Sequence, residues 1–280
     1  MAGARAVEVE VDADEVDLAS GLLWGAGVAA VAEHPAGSGR VRLRADLPAG
    51  GVGAVRSALG GRWEVSAVDV DDDGLDAWRD HAEVVAVGRR LVVRPPWKSL
   101  GAVADDAVVL EIDPGPSFGH GAHPTTRLCL AAIEADIDAR SRPSVLDVGC
   151  GSGVLAVAAA RLGAERVMAV DVAPDAVEAT RANALRNDVE IVVDARLVAA
   201  EEEADPLAGA PGRFDLVVAN IGARALVGLA PHLVSRLGAA GRLVLSGLLD
   251  PPPPEVAAAF APLTVVDQPT LDGWTALVLA

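Results

Sequence analysis

Residues 6–12 (AVEVEVD) alternate apolar and charged positions at period two, the pattern of a strand with one buried face. Residues 14–25 predict a helix that Gly25 and Gly27 interrupt before the apolar run VAAVAE. RVRLRADL from Arg40 and RWEVSAVDV from Arg62 repeat the alternation, and GVGAVRSAL between them predicts a short helix. The resulting order, β-α-β-β-α-β, predicts a ferredoxin-like α+β domain over residues 1–70 with one sheet face open to solvent. An acidic cluster of Asp69, Asp71, Asp72 and Asp73 closes it.

The next stretch, residues 71–106, reads as an interdomain linker region: LDAWRDHA predicts a helix, and RRLVVRP a short strand. Pro95 and Pro96 end that strand because proline has no N–H for a ladder. From Ala107 the pattern changes to apolar strands separated by longer helical segments, the mark of a mostly parallel sheet covered on both faces. SVLDV, RVMAVDV, EIVVD, FDLVVANI, GRLVLSG, LTVVD and WTALVLA supply seven strands, with helices expected at 153–162, 174–187, 223–237 and 254–261. Pro174 and Asp175 are good first-turn residues for the second of these. Residues 107–280 therefore predict a Rossmann-like α/β domain, with Ala199 to Gly212 as an acidic surface loop.

Composition narrows the classes of function. Of 280 residues 51% are hydrophobic, yet no uncharged apolar run reaches the ~18 residues a membrane span needs. The amino terminus has no basic start or apolar core of a signal peptide, so a cytoplasmic protein is expected. Cys129 and Cys150 are the only cysteines, too few for a disulfide framework, and with five histidines they form no metal-ligand pattern. The net charge of -17 opposes contact with a phosphate backbone and favours a basic partner over nucleic acid, although acidity also serves solubility.

The segment from Val145 to Gly153 (VLDVGCGSG) is a strand running into a turn with glycine at 149, 151 and 153, followed by a helix. Glycine there lets backbone approach a ligand where any β-carbon would intrude. Asp171 closes the next strand about 20 residues on, where a carboxylate accepts hydrogen bonds from a ribose diol. The dinucleotide fingerprint would need glycine at 154, which is Val154. Asp147, just before the turn, would repel a pyrophosphate but attract an ammonium, which points to the methionine end of S-adenosylmethionine. Asn220 ends the strand FDLVVANI at the carboxyl edge, where open α/β sheets bind ligands; a plain helix cap at that position is the competing role.

Residues 113–126 (DPGPSFGHGAHPTT) form a Pro/Gly-constrained loop leading into the helix that holds Cys129, placed to fold over a cofactor. His120 and His123 lie in it; a histidine beside proline at a helix start is more often a hydrogen-bonded structural residue than a base. Cys150 reads as a small turn filler.

DPGPSFGHGAHPTT, LDVGCGSGVLA, VDVAPDAVEATRANALRN and VVANI, followed by Ser246 and Gly247 at a strand end, resemble in order the PrmA family of bacterial methyltransferases, which modify the eleventh protein of the large ribosomal subunit. The resemblance implies a seven-stranded class I methyltransferase sheet over residues 107–280, S-adenosylmethionine as cofactor, and an amino-terminal domain that grips a protein substrate. It matches Thr126, Gly149, Asp171 and Asn220 to the family's cofactor contacts. Asp147, Gly151 and Gly153 join that set from the turn itself. His120 and Ala122 stand where the family has threonines, and Gly222 where leucine is typical, all near the acceptor.

The expected activity is methyl transfer to lysine or amino-terminal amines of a ribosomal protein, with Asn220 orienting the free amine as the catalytic residue. Other protein or small-molecule acceptors, a cofactor-binding scaffold without catalysis, and a dinucleotide oxidoreductase are the competing readings.

Overall fold

The computed structural model describes residues 4–12, 15–28, 31–37, 39–47, 50–70, 83–113, 121–198 and 205–280. The expected LDAWRDHA helix, most of the acidic cluster, His120 and the start of the 199–212 loop lie outside them. The chain divides into two compact units, Met1–Ala82 and Glu83–Ala280.

In the first unit the order is β1 (Ala4–Asp12), α1 (Val16–Gly25), β2 (Val31–Gly37), β3 (Arg40–Asp46), α2 (Gly51–Ala58) and β4 (Val65–Val70). The sheet runs β2-β3-β1-β4 with every neighbour antiparallel, the ferredoxin-like arrangement. Val7, Val9 and Val11 put the apolar phase of β1 into a core with Leu23, Leu43 and Val55. The other phase carries charge. Glu8 lies opposite Arg44, Glu10 opposite Arg42 and Asp12 opposite Arg40, a cross-strand ladder in register. Arg42 donates to Glu10 at 2.6 Å and Arg44 to Glu8 at 2.5 Å.

The second unit opens with a three-stranded sheet, β5 (Val85–Val87), β6 (Leu91–Arg94) and β7 (Val108–Glu111), in the order β5-β6-β7. Residues 83–106 fall within this unit. Helix α3 (Pro124–Asp138) holds this sheet: its buried Glu134 accepts from the backbone N–H groups of Arg89 at 2.7 Å and Arg90 at 3.1 Å.

The main sheet follows, with β8 (Ser144–Val148), α4 (Val154–Leu162), β9 (Arg166–Asp171), α5 (Pro174–Arg186), β10 (Val193–Leu197), β11 (Phe214–Asn220), α6 (Ala223–Ser235), β12 (Leu237–Leu249), α7 (Pro254–Ala259), β13 (Val265–Asp267), β14 (Thr270–Leu271) and β15 (Trp274–Leu279). Its order is β10-β9-β8-β11-β12-β15-β13, parallel except for the antiparallel β15, and the two-residue β14 pairs with β15. The seven expected strands are all present, and the class I methyltransferase order places the sheet's switch point between β8 and β11. Side chains alternate between two cores: Val145, Val218 and Val244 face α3, α4 and α5, whereas Leu146, Val217 and Leu245 face α6 and α7.

Two boundaries differ from the sequence pattern. Residues 190–194 do not begin the third parallel strand; it starts at Val193, because α5 ends in a tight turn with Asp188 at φ 58° that throws Ile191 into solvent. Residue 237 belongs to β12, not to the helix before it, and β12 begins four residues ahead of the expected GRLVLSG.

Candidate active site

The glycine turn is built by conformation and by closeness. Gly149, Gly151 and Gly153 all have positive φ, between 53° and 79°. At Gly153, the residue before α4, a β-carbon would also stand 2.8 Å from the Thr180 side chain of α5. Thr180 reaches back and donates to the carbonyl of Gly151 at 3.1 Å and to Cys150 Sγ at 3.2 Å, pinning the turn to α5. Cys150 is buried, and burial, reinforced by Asp147, pushes its thiol well above the usual range; it is a filler of the turn and not a nucleophile.

Asp171 ends β9 beside this turn. Its Oδ2 accepts from the N–H of Gly151 at 3.0 Å and its Oδ1 from that of Ala173 at 2.9 Å, so the carboxylate is fixed in orientation while remaining partly exposed. The backbone N–H groups of Gly149 and Cys150 both donate to the carbonyl of Val170, which locks the turn to the end of the same strand.

Asp147 behaves differently. It is 1% exposed, and neither carboxylate oxygen has a partner at hydrogen-bonding geometry among the described residues. Strand register puts it opposite Val218, on the face covered by α3, α4 and α5, and Cys129 of α3 lies near enough to feel its charge. Burial, with repulsion from Asp171 added, pushes the Asp147 carboxyl up to about 7; the backbone of Ala156 offsets this only in part. A buried, unpartnered carboxylate is costly, and a cationic group would supply what it lacks.

The same face carries the other expected residues. Asn220 pairs with Ser246 in register and lies two residues beyond Val218, one step past the end of β8. Helix α6 is capped by Gly222 and has no side-chain cap, so the competing capping role for Asn220 does not apply. Thr126, in the first turn of α3, is 1% exposed and its Oγ1 has no partner. His123 is the N-cap of α3: its Nδ1 accepts from the Thr125 N–H at 3.3 Å and lies 2.8 Å from Thr125 Oγ1, and its ring stands edge-on to Trp274 with centroids 4.9 Å apart. Those contacts hold the start of the helix before Pro124.

Three residues outside the sequence reading complete the setting. Asn183 of α5 and Asn187 at its C-cap, four residues apart, act as a substitute strand for the segment leaving β7. Asn187 accepts from the N–H of Glu111 at 2.8 Å and donates to its carbonyl at 2.7 Å. Asn183 does the same for Asp113 at 2.9 and 2.7 Å, and also donates to the carbonyl of Ser152 in the glycine turn at 2.9 Å. The entry of the 113–126 loop is thereby tied to the turn. Asn183, inside a helix where that residue is a poor choice, was the available signal. The third is Trp274, buried at the start of β15.

The chain matches the family described as ribosomal protein L11 methyltransferase (PrmA) over residues 54–280. The chain belongs to this family. Among PrmA relatives, the L11 methyltransferase of Pelobacter propionicus is 45% identical over 68% of this chain and 60% of its own length. That of Geobacter sulfurreducens is 46% identical over 64% and 56%. The chain therefore spans less than two thirds of the length of these relatives. The crystal structure of a ribosomal protein L11 methylase from Lactobacillus delbrueckii subsp. bulgaricus has a TM-score of 0.62 at 32% identity and covers 70% of this chain and 97% of its own.

The donor and acceptor set fits the cofactor that the PrmA family implies. The unpartnered carboxylate of Asp147 suits the ammonium of a methionine moiety, Thr126 Oγ1 offers a free donor, and Asp171 beside the glycine turn suits a ribose.

Proposed function

We propose that this chain is an S-adenosylmethionine-dependent protein methyltransferase that modifies lysine or α-amino groups of ribosomal protein L11. The observation that carries the reading is the buried, unpartnered Asp147 at the head of the glycine turn, in a chain of the PrmA family. S-adenosylmethionine, when bound, supplies a methyl on a sulfonium that an amine displaces in line. Asp147 and Thr126 hold the amino-acid end, Gly149, Gly151 and Gly153 admit the nucleoside, and Asp171 holds the ribose. Asn220 contributes to the cofactor site and turns its amide oxygen toward the incoming amine, which must be deprotonated to attack. An apolar, dry surrounding favours the neutral form of that amine.

The division of labour follows the units. Residues 1–70 are the substrate-recognition part and 107–280 the methyltransferase part, with the start of the second unit at Glu83 within the expected 71–106 connection. A chain with a net charge of -17 suits a basic protein partner rather than nucleic acid or a membrane surface, and a cytoplasmic setting where ribosomes are made. Among the described residues no helix is long and apolar enough to cross a membrane.

Incubating the purified chain with methyl-labelled S-adenosylmethionine and a mixture of ribosomal proteins is expected to label L11 alone. Asn220→Ala is expected to lower turnover about 100-fold, far more than it lowers cofactor affinity measured by calorimetry. An unlabelled L11, or full turnover in the variant, would overturn the acceptor or the role of Asn220 respectively.

A further inference from the structure

Trp274 is an unusual residue to find without a hydrogen bond. It is 1% exposed, and its Nε1–H has no acceptor among the described residues, although a buried indole N–H almost always finds one. Its position explains where that N–H is aimed. On β15, Val278 belongs to the core beneath α3, α4 and α5, while Leu277 and Leu279 belong to the opposite core. Counting back at period two puts Ala276 and Trp274 on the α3 side. Trp274 pairs with Leu249 at the end of β12, three residues beyond Ser246, so it stands at the carboxyl edge of the parallel strands. Its ring meets the N-cap histidine of α3, His123, at 4.9 Å.

Thr126, three residues beyond His123 on the same helix end, carries a second unpartnered buried donor among the described residues, its hydroxyl. Two buried donors without acceptors therefore flank the first turn of α3, a position where the helix dipole already favours negative charge. The unpartnered acceptors of Asp147 lie on the same sheet face. Donors at one end and a carboxylate at the other form the complement of an amino-acid zwitterion, with one group for each of its two charges.

We propose that Trp274, through its indole N–H and together with Thr126 Oγ1, binds the carboxylate of the cofactor's methionine moiety against the N-terminus of α3. This rests on the S-adenosylmethionine reading of the site. It makes Trp274 a specificity residue: it distinguishes S-adenosylmethionine from the decarboxylated compound, which keeps the sulfonium, the ammonium and the nucleoside but lacks the anion.

The test is calorimetry of the full chain and its Trp274→Phe variant with S-adenosylmethionine and with decarboxylated S-adenosylmethionine. Phenylalanine keeps an aromatic ring and removes the N–H. Affinity for S-adenosylmethionine is expected to fall about tenfold, as for loss of a hydrogen bond to a charged group, while affinity for the decarboxylated compound stays within about twofold. Equal losses for both compounds would reduce Trp274 to packing and overturn the proposal, as would no loss for either. If the unaltered chain binds neither compound, the cofactor reading itself fails. Nitrogen-15 spectra of the unaltered chain need no substitution: one of the five indole N–H signals should move downfield with S-adenosylmethionine and stay in place with the decarboxylated compound. An indole signal set that responds identically to both also overturns the assignment.

Discussion

The outward face of β1 and β3 and the carboxyl edge of the main sheet use polar groups in opposite ways. On the first, each carboxylate faces an arginine in register and water covers the pairs: Glu10 and Arg42 both keep about two fifths of their side-chain surface, at 40% and 42%. On the second, Asp147, Thr126 and Trp274 are each 1% exposed and carry atoms with no partner. Burial alone does not distinguish them, because Glu134 of α3 is also buried yet accepts from two backbone N–H groups, and buried Asp136, whose Oδ2 makes no hydrogen bond, is ion-paired to Arg140 and Arg242. Satisfied polar groups, exposed or buried, hold the fold. Unsatisfied buried ones gathered at the carboxyl edge suit a ligand, which an isolated one such as Ser20 Oγ in the other unit does not.

The largest expected effect tests that distinction at Asp147. Its folded carboxyl, raised to about 7, sits above the unfolded value of about 3.9. The sign follows from proton linkage: the contribution is fully present below the lower value and is lost as pH rises through the upper one. Thermal melts of the ligand-free chain from about pH 4 to about pH 9 should show stability falling between the two values and levelling above about pH 8. Asp147→Asn is expected to flatten this dependence and to stabilise the folded state at pH ~8 by at most about 4 kcal/mol. The same variant should bind S-adenosylmethionine about 100-fold more weakly, since one charged partner of the ammonium is gone. Opposite signs for stability and binding are the signature of a functional carboxylate; a variant that loses both would put Asp147 with Glu134 as a structural group.

How far these features can be read from the chain depends on the range of the interactions that make them. The glycine turn, Asp147, Asp171 and Asn220 are legible because each is fixed by neighbours within one strand-turn-helix unit. The alternation of β1, β3 and β4 made the ferredoxin-like unit legible for the same reason. Of the small β5–β7 sheet only β6, in RRLVVRP, was legible, since the hairpin that carries it gains its place from Glu134, some 45 residues away in α3. Nor was Trp274, which reads as one more apolar residue in WTALVLA until the register places it against His123. The strand at 193–197 was displaced in the reading because a left-handed Asp188 ends α5 in a way that the apolar run VEIVV conceals.

An intermediate effect is expected at Asn183, which is fully buried and satisfied. Asn183→Ala strands the N–H and carbonyl of Asp113 and the carbonyl of Ser152. The loss should be about 2–3 kcal/mol of unfolding free energy, measured by urea titration, because orphaned buried groups cost their desolvation. Asn183→Asp, which keeps the acceptor but sets a buried carboxylate against the two carbonyls, should lose at least as much. Hydrogen exchange at residues 111–113 should quicken in both before the central strands respond, since this segment leans on α5 where a strand would otherwise lie. Uniform exchange across the unit would mean that the asparagine ladder is redundant.

The smallest effect belongs to the ladder on β1 and β3. Arg42 pairs with Glu10 at 2.6 Å and lies 3.7 Å from Glu8, and the Glu10 carboxyl is held below its ordinary range mainly by its hydrogen bond to Arg42. Those shifts describe groups bathed in water, where Coulomb attraction is screened and holding two long side chains together offsets much of the gain. Arg42→Ala is therefore expected to move the melting temperature by less than about 2 °C at low salt, and by nothing measurable at ~0.5 M salt, where the screening length is only a few ångströms. The contrast with Asp147 is then one of sign as well as size: removing a satisfied exposed charge slightly weakens the fold, and removing an unsatisfied buried one strengthens it. A salt-insensitive loss at Arg42 as large as that at Asn183 would mean that the ladder is shielded from water, and that the face acts as an interface rather than as a solvated side of the sheet.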